Sequence, residues 1–194
     1  DLELLQKNSN TFVGTNAGNL PTTTGSSNVA LGFQSLRNNS SGSGNVAVGR
    51  ETLYNSTTGN NNTGTGSLAL ASSRGNQNTG IGRQALQNAV TGDCNVGVGH
   101  IAGALVIGGK PNSAPDVSVF LGGGTKSKTN SDTNQIVIGY NAIGEGTNTA
   151  RIGNTSVNQL HVGGNNAGIV LKSPNGTAYI IKVTNAGALT VTAV

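Results

Sequence analysis

Asp116 and Asp132 stand one repeat length apart in a chain built of repeats. Two carboxylates facing one another across a cleft are what glycoside hydrolysis requires. The other acidic residues, Asp1, Glu3, Glu51, Asp93 and Glu145, are scattered singly. Solvated loop positions account for all seven, so no catalytic residue is assigned and the chain is read as no enzyme. Two histidines are the next candidates. His100 follows a glycine at a position where other copies of the repeat carry Thr15, Phe33, Arg50, Ser67 and Arg83, the variety of an exposed site. His161 holds a mid-strand position, where three copies of the chain could meet on an axis around a metal ion or an anion; ordinary packing is the simpler reading. Cys94 is the single cysteine, which rules out an intrachain disulfide and leaves no zinc or redox motif. Neither a cofactor nor a metal is assigned.

The elements that would position these groups are near-copies of Asn45-Val46-Ala47-Val48-Gly49. They recur as Asn28 to Gly32, Asn62 to Gly66, Asn78 to Gly82 and Asn95 to Gly99, with a weaker copy at Asn10 to Gly14. Looser copies end at Gly122, Gly139, Gly153 and Gly163, and the usual step is about 17 residues. A unit that short cannot bury its own apolar face, so coils must stack. The 31 Gly, the many Asn, three Phe, three Tyr and absence of Trp fit a thin one-dimensional core better than a globule. Regular aliphatic pairs before each glycine argue against disorder.

The net charge of +4 comes from scattered basic residues without aromatic neighbours, which is not the footprint of a nucleic-acid binder. No run approaches the ~20 apolar residues of a membrane span, so no membrane insertion is expected.

Within a copy, alternation puts Val46 and Val48 on one face and Ala47 on the other. The aliphatic pairs are expected to line the coil interior. The first asparagines, Asn28, Asn45, Asn62, Asn78 and Asn95, should form a hydrogen-bonded column. The middle residues Ala30, Ala47, Gly64, Gly80 and Gly97 are only Ala or Gly, which suggests close contact with a neighbouring chain. A second segment ends in Leu36, Leu53, Leu70 or Leu86, so the coil reads strand, turn, strand, turn.

Residues 1–9 read as the end of an upstream stem or helix, and 10–164 as the solenoid. Residues 165–194 read as a C-terminal antiparallel β-meander cap, with one hairpin turning at Asn175-Gly176. Two loops break the period, one around Lys110 to Pro115 and one from Gly124 to Asn134. Insertions in repeat arrays are often binding sites. Lys110, Pro111, Asn112, Pro115, Lys126, Lys128 and Asp132 are therefore the expected receptor-binding residues.

The Asn-Val-Ala-Val-Gly repeat resembles the head repeats of trimeric autotransporter adhesins, which are trimeric left-handed parallel β-rolls; related repeats occur in bacteriophage tail fibres and tailspikes. The period here is longer. The end from Ile169 is similar to short C-terminal modules of phage fibre proteins. The resemblance implies an all-β parallel β-solenoid in an intertwined homotrimer. It further implies a structural tail-fibre protein, located in the virion, that attaches to the host cell surface. Its partners would be further copies of itself, other virion tail proteins, and a host surface glycan or other receptor. A bacterial surface adhesin or extracellular filament subunit is the alternative, and a polysaccharide-cleaving tailspike a third.

Overall fold

A computed structural model describes residues 4–18, 23–157, 159–160, 169–174, 177–183 and 187–193. The chain is all-β and divides into two compact units, Asp1–Ser156 and Val157–Val194. The expected boundary at 164 falls among residues 161–168, outside those described.

The first unit is a parallel β-solenoid. Its strands are β2 (Asn10–Val13), β3 (Val29–Leu31), β4 (Val46–Val48), β5 (Thr63–Thr65), β6 (Thr79–Ile81) and β7 (Val96–Val98), continuing after an insertion as β9 (Val119–Leu121), β11 (Ile136–Ile138) and β12 (Ala150–Ile152). The nine pair in parallel, each coil adding one, so that Val46 lies against Thr63 and Ala47 against Gly64. Residues Leu4–Lys7 were expected to be a stem or a helix end. They form β1, which pairs antiparallel with β2 and covers the open edge of the first coil.

The two faces of the sheet are the reverse of the expectation. Phe12, Ala30, Ala47, Phe120 and Val137 are wholly buried, and Gly64, Gly80 and Gly97 share their inward face. Val46, Val48, Val96 and Val98 point outward and are half-buried, while Val29, Leu31 and Ile81 are more than 40% exposed. The reason is space. The leucines of the second segment fill the interior, and a β-carbon added at Gly80 would lie 3.0 Å from Leu70 Cγ, or at Gly97 2.7 Å from Leu86 Cγ. Only Ala or Gly fits opposite Leu in so flat a coil. Ala30, Ala47, Gly64, Gly80 and Gly97 are therefore packing residues within the chain, not contacts to a neighbouring one.

The second segment is not a strand. Leu36, Leu53, Leu70 and Leu86 are buried and left-handed, with φ of 49–52°, and the residues two before them, Gln34, Glu51, Leu68 and Gln84, are left-handed as well. Hydrogen bonds between coils hold this conformation: Leu53 N–H donates to Ala69 O at 3.0 Å and Asn55 N–H to Ala71 O at 2.8 Å. Each positive φ on a branched side chain costs about 1–2 kcal/mol, which the ladder and leucine burial offset. Each coil is thus one strand and one stack of turns. The closing glycine does what the sequence suggests. Gly66 has φ +121°, and a β-carbon there would sit 2.7 Å from the carbonyl carbon of Gly82 in the next coil.

The second unit contains β13 (Ile169–Lys172), β14 (Ala178–Val183) and β15 (Leu189–Ala193) in an antiparallel sheet. The expected Asn175-Gly176 turn lies outside the described residues. Register places Ile169, Leu171, Tyr179, Ile181, Val183, Leu189, Val191 and Ala193 on one face. Leu189, Val183 and Val191 are more than 60% exposed in the isolated chain.

Candidate functional site

The asparagines form one buried column. Asn45, Asn62 and Asn78 each accept, on Oδ1, the backbone N–H of the next member at 2.9–3.0 Å. Each Nδ2 reaches inward to a carbonyl: Asn28 to Gly42, Asn45 to Gly59, Asn62 to Gly75 and Asn78 to Gly92, all at 2.8 Å. The column starts at Asn10 and runs on through Ser118 and Gln135. The asparagine amides from Asn28 to Asn95 are all engaged in the stack and offer nothing to a ligand.

A partner column escaped the sequence reading. Gly25, Gly42, Gly59, Gly75 and Gly92 lie three residues before the asparagines, and a β-carbon on Gly75 would fall 2.1 Å from Gly92 O. The recurring Gly-x-x-Asn spacing was the available signal. One residue further on, a second ladder runs Ser43, Asn60, Asn76, Asp93 and Asp116, in which Asn60 Oδ1 accepts Ser43 N–H at 2.9 Å and Asp116 Oδ1 accepts Asp93 N–H at 2.9 Å. Asp116 is thereby engaged in stacking. Asp132 is buried and accepts from Thr129 N–H at 2.6 Å and Thr129 Oγ1 at 2.8 Å. Asp116 thus serves the coil before it and Asp132 its own loop, and both carboxylates are spent on structure. His100 is exposed, and its Nε2 lies 2.8 Å from the Arg83 guanidinium. A guanidinium can only donate, so Nε2 is the acceptor of that bond. His161 lies outside the described residues. Among the described residues no cluster of His, Cys, Asp and Glu is placed to hold a metal ion.

The expected receptor loop divides into scaffold and surface. The insertion folds back on itself: β8 (Leu105–Val106) leads into the turn Ile107–Gly109, and Val106 N–H donates to Lys110 O at 2.9 Å. Asn112 is fully buried, its amide donating to Gly103 O and Ser127 Oγ at 3.1 Å each. Pro115 is buried, and its carbonyl takes the Asn95 amide at 2.9 Å in the place a glycine holds elsewhere. Asn112 and Pro115 are thus removed from the binding set because they fasten the insertion to the coils, and Asp132 because it is buried and holds its own loop together through Thr129. Lys110, Pro111 and Lys128 are exposed and Lys126 is half-buried on β10 (Lys126–Ser127). Deleting Lys110 to Pro115 should therefore destabilise the stack. The cleaner test of the loop is Lys110→Ala with Pro111→Ala, which should leave the thermal midpoint within about 2 °C.

Beside this insertion lies an open depression of about 290 Å³ lined by Ile107, Lys128, Asn141, Ile143, Glu145, Arg151 and neighbouring residues. Stacking builds it. Val106 pairs with Ser127 and Lys126 bridges to Ile143, so Ile107, Lys128 and Glu145 follow in line on successive coils. Arg151 enters from the inward column of β12, paired to Val137, and forms an ion pair with Glu145. Its Nε donates to Gly153 O at 2.9 Å. Of these, only Lys128 was foreseen.

The other extended feature is the outward face of the parallel sheet. Its two columns run from Thr11 and Val13 to Ala150 and Ile152 and contain only Thr, Val, Leu, Ile and Ala. Nine strands at about 4.8 Å make an uncharged strip roughly 40 Å long.

Fold and surface define the class: a parallel β-solenoid of about 17-residue coils with a fixed polar spine and an uncharged side of aliphatic and threonine side chains. Comparison with family models, curated proteins and solved structures gives no match to this chain.

Proposed function

We propose that this chain is a non-enzymatic fibre segment, of the kind found in bacteriophage tails, which assembles as a homotrimer and attaches to a host cell surface. The observation that carries the reading is the uncharged outward strip. An uncharged strip of that length, with an outward aliphatic side chain on every strand but β5, is unusual on a free monomer and marks an interaction surface. Three copies can turn their strips toward a common axis, since the same patch repeats on each chain and closed rotational symmetry satisfies all of them. The interchain contact is thus assigned to Val29, Leu31, Val46, Val48, Ile81, Val96 and Val98 rather than to the Ala/Gly column. The apolar face of the C-terminal sheet makes the same demand, because a lone three-stranded sheet needs one face covered to be stable. Other virion proteins and a host surface glycan complete the partner set of this reading.

Analytical ultracentrifugation tests the assembly. The native chain of 19.3 kDa should sediment at about three times that mass. Leu31→Asp with Val48→Asp should yield a folded monomer, because these side chains face outward and a charge there is solvated once the chains part. A native monomer, or a double variant that still trimerises, overturns the assignment of the face. Attachment is tested by binding of the labelled native trimer to a panel of bacterial cells.

A further inference from the structure

The depression at the end of the solenoid has a chemistry that the attachment reading leaves open. Lys128 is exposed and its ammonium has neither an ion pair nor a hydrogen bond among the described residues. Arg151 commits one N–H to Gly153 O and one arm to Glu145, leaving further guanidinium donors without a partner among those residues. Glu145 cancels one of the two cations, so the lining carries a net positive charge. Ile107 and Ile143, 49% and 36% exposed, supply an apolar flank. Asn141 and Thr155 add amide and hydroxyl groups, and Asn154 is held in place by donating its amide to Tyr140 O at 2.8 Å.

We infer that this depression binds a saccharide bearing a carboxylate, a uronic-acid residue of an acidic surface polysaccharide. Each component of such a ligand has a counterpart. The sugar carboxylate meets Lys128 and the uncommitted Arg151 donors, as a charge-assisted contact that water competes with only in part. Ring hydroxyls donate to the Glu145 carboxylate and to amide oxygens. The C–H face of the ring lies on Ile107 and Ile143. A volume of about 290 Å³ admits one or two sugar units. A nucleic-acid phosphate would also satisfy the cations, but none of the described lining residues is aromatic and could stack on a base. An open depression gives weak binding at each copy, and a trimer offering three of them raises avidity by roughly 10²-fold.

The inference rests on the attachment reading for its biological sense, but its chemistry is tested alone. Saturation-transfer NMR on the intact chain should show methyl β-glucuronide binding in the millimolar range, with methyl β-glucoside at least tenfold weaker and sodium acetate weaker still. Lys128→Ala should lower glucuronide affinity about tenfold and leave the glucoside unchanged. Ile107→Asp, which places a carboxylate on the apolar flank, should weaken both sugars. Arg74→Ala, at an exposed cation outside the lining, serves as the charge control and should change nothing. Equal binding of glucuronide and glucoside, indifference to Lys128→Ala, or no binding by the native chain overturns the inference. If the chain trimerises and adheres to cells but ignores glucuronide, the site assignment fails while the fibre reading stands. If it binds glucuronide but is monomeric and non-adherent, the fibre reading fails and the site stands.

Discussion

Asn62→Ala should destabilise the solenoid by about 2–6 kcal/mol although it removes no apolar contact and no charge. The substitution strands two buried groups at once. Asn78 N–H loses its acceptor, Asn62 Oδ1, at 2.9 Å, and Gly75 O loses its donor, Asn62 Nδ2, at 2.8 Å. Each orphaned buried group costs about 1–3 kcal/mol. Asn62 and Asn78 are both wholly buried, so solvent cannot make up the loss. Asn62→Asp should be worse: the carboxylate keeps the acceptor for Asn78 but turns its charge toward Asn45 Oδ1 and Gly75 O, where an amide donates now. Asn60→Ala is the matched control, because the outer ladder is only half-buried and water can replace the lost acceptor of Ser43 N–H. That change should cost about 0.5–1.5 kcal/mol. Urea midpoints at one protein concentration give the comparison, with hydrogen exchange at Asn78 as the local readout. Equal midpoint shifts for the two alanine variants would falsify the view that the inner column is the spine of the fold.

The stacked coil was legible because its causes are periodic. One Asn, one glycine and one aliphatic alternation recur at nearly fixed steps, and only stacking satisfies all three. The direction of the alternation was not legible in one copy. Val-Ala-Val reads naturally as apolar valines inward, and nothing within those residues says that an opposing leucine has already taken the space. The answer lay in the second segment, where Leu36, Leu53, Leu70 and Leu86 recur, but these leucines adopt a left-handed backbone that propensity places on glycine or asparagine. Stacking hydrogen bonds, which are non-local, override that preference. Three of the expected binding residues, Asn112, Pro115 and Asp132, fell out of the set for a related reason. Asn112 and Pro115 look like ordinary loop residues, and only the fold shows that they substitute for coil positions. The depression could not be read at all, since Ile107, Lys128 and Glu145 are brought into line by coil register across an irregular insertion.

The size pairing inside the coils leads to the second large effect. Gly97→Phe should unfold the coils around it, whereas the same change made together with Leu86→Gly should recover much of the stability. Inward residues and the opposing turn are matched in volume. Leu86 fills the space beside Gly97, and where the turn carries Gly103 in place of leucine, the next coil supplies Phe120, whose ring lies 2.6 Å from where a Gly103 β-carbon would be. Phe12 and Gly18 show a related exchange within the first coil itself, where a β-carbon on Gly18 would lie 2.3 Å from the ring. Phenylalanine at Gly97 alone must enter space where a single β-carbon would already be 2.7 Å from Leu86 Cγ and 3.1 Å from Ala102 O. The penalty should exceed the about 1–3 kcal/mol usual for smaller overpacking. Leu86→Gly alone leaves a cavity, worth about 2–5 kcal/mol for a leucine cut back to alanine, softened because glycine relaxes the backbone at φ +49°. In a double-mutant cycle the two changes should couple favourably by more than about 2 kcal/mol, since each removes the cause of the other's cost. Additive losses would mean that the interior adjusts coil by coil without matching. The Ala/Gly column would then have to be explained by something other than the leucines across from it.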